Sequence, residues 1–443
     1  MKAKSFKKDK VNIITLGCSK NLVDSEVLSG QLRANKIPVA HENKKIDHNI
    51  VIVNTCGFIE KAKEESIQTI LEQVELKKQG DLDKVYVTGC LSERYRKNLE
   101  TEIPEVDAWF GTMELPFILQ KFNADYKKEL LGERLLATPH HYAYLKISEG
   151  CNRTCAFCAI PLMRGKHISK PMEEIVREAE ILVQRGVKEI MLIAQELTYY
   201  GLDIYKKRML ADLLEKLSDI PGLKWIRLHY AYPNKFPLEV LDVMRERENI
   251  CNYLDMPLQH ASDRMLQAMQ RQTTQSEIEK LLHAIREKNP GICLRTTLIV
   301  GFPGETKKDV SILKKFLVEQ RFDRVGIFTY SHEEGTSGYL LKDNVPAKEK
   351  EARAQEIMEV QQEISYEKNQ EKIGKIFEVL IDQQEAGRYL GRTEFDSVEV
   401  DNEVVVKSKH SLNPGDFVQV KITKAYDYDL EGVALPIVNP VQL

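Results

Sequence analysis

From residue 11 to about residue 330, short apolar runs alternate with helical segments, and a cysteine directly follows each of the first three runs. VNIITLG (11–17) leads to Cys18, IVIVNT (50–55) to Cys56 and KVYVTG (84–89) to Cys90. Between and after them stand NLVDSEVLSGQLRAN, FIEKAKEESIQTILEQVELKKQ and LSERYRKNLE, read as helices, the second with an apolar stripe at helical spacing. A strand separated from the next by a helix pairs with it in parallel, and the helices cover the sheet. In open parallel sheets functional groups gather at the carboxyl ends of the strands. Cys18, Cys56 and Cys90, far apart in sequence, are therefore expected to converge. A single cysteine of this kind reads as a small core residue; three at equivalent strand ends, each beside Gly, Ser or Thr, read as a ligand set.

A second set lies in EGCNRTCAFCAIPLMRG, where Cys151, Cys155 and Cys158 have the spacing C-x3-C-x2-C. A cube of four irons and four sulfides takes four ligands, so three thiolates leave one iron open. Phe157 is placed to shield one face of such a cluster, and Gly150 and Gly165 let the loop fold closely. The alternative is structural zinc, but no second C-x2-C pair follows, and His167 as fourth ligand lies beyond a Pro-containing loop. HYAYLKIS, VKEIMLIA (187–194), WIRLHY, NYLDMPLQ, LRTTLIVG and DRVGIFTY alternate with helices, including one from Met172 to Arg185. About six such repeats fit a partial or full βα barrel whose reactive face is the carboxyl end of its strands. Cys251 and Cys293 fall at or within predicted strands without cluster-like neighbours and read as core.

An amphipathic helix over about Ala347–Lys372 reads as a packed strut. Beyond it KIFEVLID, SVEVD, EVVVKS and FVQVKITKAYDYDLEGVAL, separated by turns, predict a small antiparallel β-barrel. Ile376 to Leu443 holds twelve Asp/Glu and six Lys/Arg. Phosphate binding needs the opposite sign; an acidic barrel suits a basic protein surface, unless it is simply a solvated acidic face. The expected architecture is α/β and multidomain: a parallel-sheet domain over 1–136, a βα barrel over 137–372 and the β-barrel over 373–443. No apolar run approaches the roughly 18 residues of a membrane helix. The N-terminus MKAKSFKKDK lacks the apolar segment of a secretory signal and reads as a frayed tail. Eight cysteines without export signals point to a reducing cytoplasm and metal ligation rather than disulfides.

The C-x3-C-x2-C run resembles the signature of the radical S-adenosylmethionine (SAM) superfamily, whose open iron chelates the methionine part of SAM. The order of strand-end cysteines, cysteine-loop barrel and small β-barrel resembles the methylthiotransferase family over essentially the whole chain. One branch of that family modifies an adenosine in transfer RNA. The RimO branch modifies an aspartate of the twelfth protein of the small ribosomal subunit. GCSKNLVDSE, NTCGFIEKAKEESI, HYAYLKISEGCNRTCAFCAIP, WIRLHYAYP, YLDMPLQHASD and LRTTLIVGFPGET are similar to the RimO branch.

The resemblance implies a methylthio group added to the aspartate β-carbon, with SAM and two 4Fe-4S clusters as cofactors. Cys151, Cys155 and Cys158 would hold the SAM-binding cluster, and Cys18, Cys56 and Cys90 the auxiliary one. It also implies an electron donor such as a flavodoxin or ferredoxin, and a basic ribosomal protein docked by the acidic final (TRAM) barrel. Membrane association and a main role in nucleic-acid binding are not expected. Gln195 follows a strand where the superfamily often contacts the SAM amino group. The RimO branch usually carries an aspartate–threonine pair next; here Glu196–Leu197 stands instead. Gln259 and Ser262 are candidates for the ribose or methionine moiety, with a polar loop network as the alternative. GFPGE (301–305) resembles the stretch near the adenine. Arg295 is a candidate partner for a carboxylate of SAM or substrate, and His229 and His260 read as structural.

Overall fold

A computed structural model describes residues 9–43, 47–127, 130, 132–385 and 387–436. Most of the N-terminal run read as a frayed tail lies outside the described residues. The first sheet has five parallel strands in the order Val39–His41, Val11–Thr15, Ile50–Thr55, Lys84–Gly89, Ala108–Trp109. The three central strands are the three apolar runs. The outer two are too short to leave an apolar pattern. Ile70, Val74, Leu91 and Leu99 cover one face, and Leu28, Leu32, Ile118 and Leu119 the other. Burial on both faces explains why Ile50–Thr55 is buried throughout.

The second sheet has six parallel strands in the order Arg324–Thr329, Cys293–Val300, Ile250–Asp255, Trp225–Leu228, Glu189–Ile193, Tyr142–Lys146. Among the described residues its two edge strands do not pair with each other, so it is a partial barrel. Two strands end earlier than WIRLHY and NYLDMPLQ suggest, at Leu228 and Asp255. Tyr230 has a left-handed φ of 67°, which no strand continues through. One sheet face packs on the helices. On the other, Trp225, Cys251, Tyr253 and Cys293 meet Leu380, Phe395 and Phe417 of the last domain. Cys251 and Cys293 are core, as read.

That last domain is a closed barrel of Ile376–Glu385, Arg388–Arg392, Val404–Lys407, Leu430–Ala434 and Phe417–Ala425. Its pairings are antiparallel except for Val404–Lys407 with Leu430–Ala434, which is parallel. SVEVD (397–401) is not a strand; Arg388–Arg392 takes that place in the sheet. Asp401 turns the chain back by accepting from the Ser397 N–H at 2.9 Å. The turn carries its side chains into the partial barrel: Tyr253 Oη donates to Asp401 at 2.7 Å, and Ser397 Oγ bonds His229 at 2.9 Å. Beside it Glu189 is buried between Arg227 (2.9 Å) and Arg392 (2.7 Å), one guanidinium from each domain. The helix Ala347–Gln370 buries Lys350, Arg353, Ile357, Gln361, Ile364 and Asn369 along one face. Its seam is mixed: Ile357 and Ile364 join the hydrophobic core of the partial barrel, and Asn369 Nδ2 ties the helix to the β-barrel through the Tyr428 carbonyl at 2.8 Å.

Candidate active site

The three strand-end cysteines converge. Cys18 caps the helix Ser19–Ala34, Cys56 follows its strand, and Cys90 is the first residue of the helix Cys90–Glu102. A Cβ on Gly17, whose φ is +91°, would lie 2.8 Å from Cys56 Sγ, and one on Gly57 would lie 2.8 Å from Leu91 Cα. Only glycine allows the three loops this approach. Cys90 Sγ reaches Asn21 Oδ1 at 3.7 Å. Asn21 is fixed by its own donations to the Leu16 and Thr55 carbonyls at 2.8 and 3.0 Å. Cys56 and Cys90 are buried and Cys18 is exposed. Burial pushes the Cys90 thiol up to about 12, with the Arg164 guanidinium working the other way. Burial raises the Cys56 thiol as well. Such thiols ionise readily only when a bound cation compensates the charge, which fits a metal-ligand role.

The second cysteine loop folds back on itself. Gly150 has φ +73°, and a Cβ there would stand 2.1 Å from the Lys166 carbonyl oxygen. Burial raises Cys151 to about 11 and Cys158 to about 12. Cys151 Sγ accepts from the Arg153 N–H at 3.4 Å, and Cys155 Sγ accepts from Arg271 Nη1 at 3.1 Å. Arg271 stacks on Tyr232 at 4.1 Å, and Arg153 lies between Tyr232 (3.8 Å) and Tyr199 (4.1 Å). Phe157 packs against an apolar group of Ala156, Met269, Phe302 and Tyr330. His167 Nε2 is engaged by Ser169 Oγ at 3.0 Å. Among the described residues no three His, Cys, Asp or Glu side chains converge tightly enough to hold one metal ion.

The two triads adjoin each other. Cys90 packs against Ala159, Ile160 and Met163, the residues just past Cys158. Arg164 closes that turn and donates to Asp24 Oδ2 at 2.6 Å, to Glu149 Oε2 at 3.2 Å and to Asn21 Oδ1. Lys146 bonds Asp24 and, at 2.6 Å, Glu149. Glu149 in turn accepts from Gln195 Nε2 at 2.6 Å. Burial opposes the Glu149 charge, yet Lys146 and Arg164 hold its carboxyl well below the usual range. Sequence reasoning missed this network, and missed Arg153, Tyr232 and Arg271. Asn21 had a signal: it follows Cys18 by three residues, on the helix turn beside the triad.

Of the other sequence candidates, Gln195 Oε1 and Gln259 Oε1 are buried without a partner, as are Ser148 Oγ, Arg153 Nε and Arg271 Nε. Gln195 and Gln259 lie past strand ends and Arg153 in the cysteine loop. Glu196 is not free: its carboxylate takes Arg153 Nη2 at 3.0 Å and the Thr198 N–H at 2.7 Å. Ser262 Oγ donates to Asp309 at 2.7 Å. Arg295 pairs with Asp255 at 3.0 Å and with Asp401 at 3.2 Å. His260 Nδ1 accepts from the Ala261 and Ser262 N–H groups at 2.9 Å, while its Nε2 is buried without a partner, so the imidazole is only half satisfied. In GFPGE the Gly301 N–H is taken by Glu305.

Comparison with known proteins agrees with this three-part layout. Residues 10–111 match an uncharacterized protein family, UPF0004, residues 145–317 the radical SAM superfamily and residues 373–435 the TRAM domain. The ribosomal protein uS12 methylthiotransferase RimO of Flavobacterium johnsoniae is 59% identical over 434 residues, 98% of this chain and 99% of that protein. The chain belongs to the RimO family. Other RimO proteins match over nearly their whole length, at 59% identity in Cytophaga hutchinsonii and 53% in Bacteroides thetaiotaomicron. Among solved structures, the radical SAM methyltransferase TsrM of Kitasatospora setae superposes with a TM-score of 0.53 at 14% identity. The match covers 72% of this chain and 73% of TsrM. The cobalamin-dependent radical SAM enzyme OxsB gives 0.51 over 79% of this chain and 56% of its own. At that identity the likeness concerns the fold alone.

Proposed function

We propose that this chain adds a methylthio group to the β-carbon of an aspartate in ribosomal protein uS12. The observation that carries the reading is the adjacency of two cysteine triads, joined through Arg164, at the carboxyl ends of two parallel sheets. Cys151, Cys155 and Cys158 would hold the cluster that binds SAM, and Cys18, Cys56 and Cys90 the auxiliary cluster. When bound, these groups supply the one-electron chemistry, the sulfur and the methyl group. The chain's own acids and bases are no substitute, because an unactivated C–H bond offers no proton that a general base can remove at ordinary cost.

The residues would then hold and orient. Arg271 and the Arg153 N–H offset negative charge on the Cys155 and Cys151 sulfurs. Gln195 and Gln259 present open carbonyl oxygens toward donor groups of SAM. Ser262 Oγ is held by Asp309, and Arg295 by Asp255 and Asp401. Phe157 closes the loop against water. A flavodoxin or ferredoxin is the class of reductant expected. Docking of a basic protein by the TRAM barrel falls to Glu378, Glu385, Glu403 and Asp429, which are exposed. Asp396 and Asp401 are paired with Arg324 and Arg295 of the partial barrel, and Asp382 with Arg392. A ribosomal substrate places the reaction in the cytoplasm; among the described residues no helix is long and apolar enough to cross a membrane.

The test is the mass of the small-subunit ribosomal proteins from cells with and without the gene. One protein heavier by about 46 Da only when the gene is present is the expected result. Unchanged ribosomal masses, with a methylthio group missing from transfer RNA, would overturn it.

A further inference from the structure

Lys20 lies in the first turn of the helix Ser19–Ala34, two residues past Cys18, and is only 6% exposed. Its ammonium stands 3.3 Å from the ring centroid of Tyr230. Among the described residues no carboxylate pairs with it and no acceptor hydrogen-bonds it. The other buried cations nearby are each matched: Arg227 by Glu189, Arg295 by Asp255 and Asp401, Arg392 by Glu189 and Asp382. The first turn of the helix carries no acidic residue, and the helix N-terminus adds positive potential. Most of the side chain is buried, so water reaches this ammonium only in part, and the aromatic face offsets only some of the lost hydration.

The arrangement is nonetheless built. Tyr230 holds a left-handed φ of 67°, its N–H donates to Asp255 Oδ2 at 3.2 Å, and Asp255 is fixed by Arg295 at 3.0 Å. A non-glycine residue stays in that conformation only when its surroundings enforce it. The cation therefore stands between the exposed member of one triad, Cys18, and the carboxyl end of a barrel strand.

We propose that Lys20, backed by Tyr230, receives the side-chain carboxylate of the aspartate that is modified. This rests on the function proposed above. The carboxylate carbon is bonded directly to the β-carbon, so gripping that group confines the reacting carbon beside the Cys18–Cys56–Cys90 triad. A neutral side chain or a nucleobase can accept a hydrogen bond from this ammonium but brings no charge to neutralise it, and Lys20 is thereby a specificity-determining residue.

The test uses the reconstituted full chain and two peptides of uS12 spanning the modified position, one with the aspartate and one with asparagine there. Wild-type enzyme is expected to bind the aspartate peptide about ten-fold or more tightly than the asparagine one. Lys20→Met should keep its iron, lose that preference and raise KM for the aspartate peptide by about ten-fold or more, leaving KM for SAM in place. Lys20→Arg should recover most of the loss. Lys20→Gln is read in parallel, so that a variant which fails to hold iron does not decide the matter. A preference for aspartate that persists in whichever neutral variant holds iron overturns the assignment, as does a change in KM for SAM alone. Wild-type enzyme that modifies neither the peptide nor whole uS12 would instead overturn the function itself.

Discussion

Arg164 donates to Asp24 Oδ2 at 2.6 Å, and this bond ties the cysteine loop of the radical SAM barrel to the first helix of the N-terminal domain. With Lys146 and Glu149 the pair closes a buried network of two cations and two anions. Each charge is tolerable there only because the others are present. The relative position of the two triads is set by this network and by the packing of Cys90 on Met163.

Arg164→Met should therefore be strongly destabilising. It leaves two carboxylates to share Lys146, and removing one partner from a buried ion pair costs about 3–5 kcal/mol. The expected outcome is a lowered thermal midpoint together with reduced iron retention. A variant that unfolds with the wild type would show that the network does not hold the domains.

Iron content separates the two sites. Reconstituted wild-type chain should carry about eight irons, and Cys155→Ala or Cys90→Ala about four each. Anaerobic iron and sulfide analysis reads this directly. About four irons in wild type, abolished by Cys155→Ala and untouched by Cys90→Ala, would remove the auxiliary cluster.

The triads were legible in the sequence because each rests on a local rule. Cys18, Cys56 and Cys90 follow apolar runs that could only be parallel strands, and C-x3-C-x2-C is contiguous. The residues that join the sites were not. Arg164 finds Asp24, and Arg271 finds Cys155, across more than a hundred residues of chain, and no periodicity encodes such pairs. SVEVD misled for a related reason. It alternates like a strand, but Asp401 and Ser397 are drawn into the partial barrel by Tyr253 and His229. The acidity of the last domain was likewise read as a surface property, whereas Asp396 and Asp401 are buried against Arg324 and Arg295.

His260 supplies a pH dependence. Burial lowers its imidazole from 6.5 to about 4, Asp309 working the other way. The unfolded chain keeps an ordinary value near 6.5 and takes up a proton that the folded chain refuses. Its contribution is thus fully present above about pH 6.5 and is lost toward pH 4, at about 1.4 kcal/mol per unit. His260→Asn, whose amide oxygen can accept the same backbone N–H groups, should decline less steeply between pH 7 and pH 5 in denaturant unfolding. Parallel profiles for the two proteins would count against this.

Arg271 is expected to tune the cluster held by Cys151, Cys155 and Cys158. Its side chain is buried on Tyr232, with Nη1 donating to Cys155 Sγ at 3.1 Å. A reduced cluster carries one more negative charge than an oxidised one, and hydrogen bonds and positive charge at its sulfurs favour the reduced form. Removing both should move the midpoint potential in the negative direction and make the cluster harder to reduce. Arg271→Met tests this by redox titration monitored by electron paramagnetic resonance. A Cys90→Ala background leaves one cluster to observe. Arg271→Lys, which keeps the charge but not the planar fork, should shift the potential less. An unshifted potential in Arg271→Met, at full iron content for that background, would mean that the guanidinium serves only to pack Tyr232.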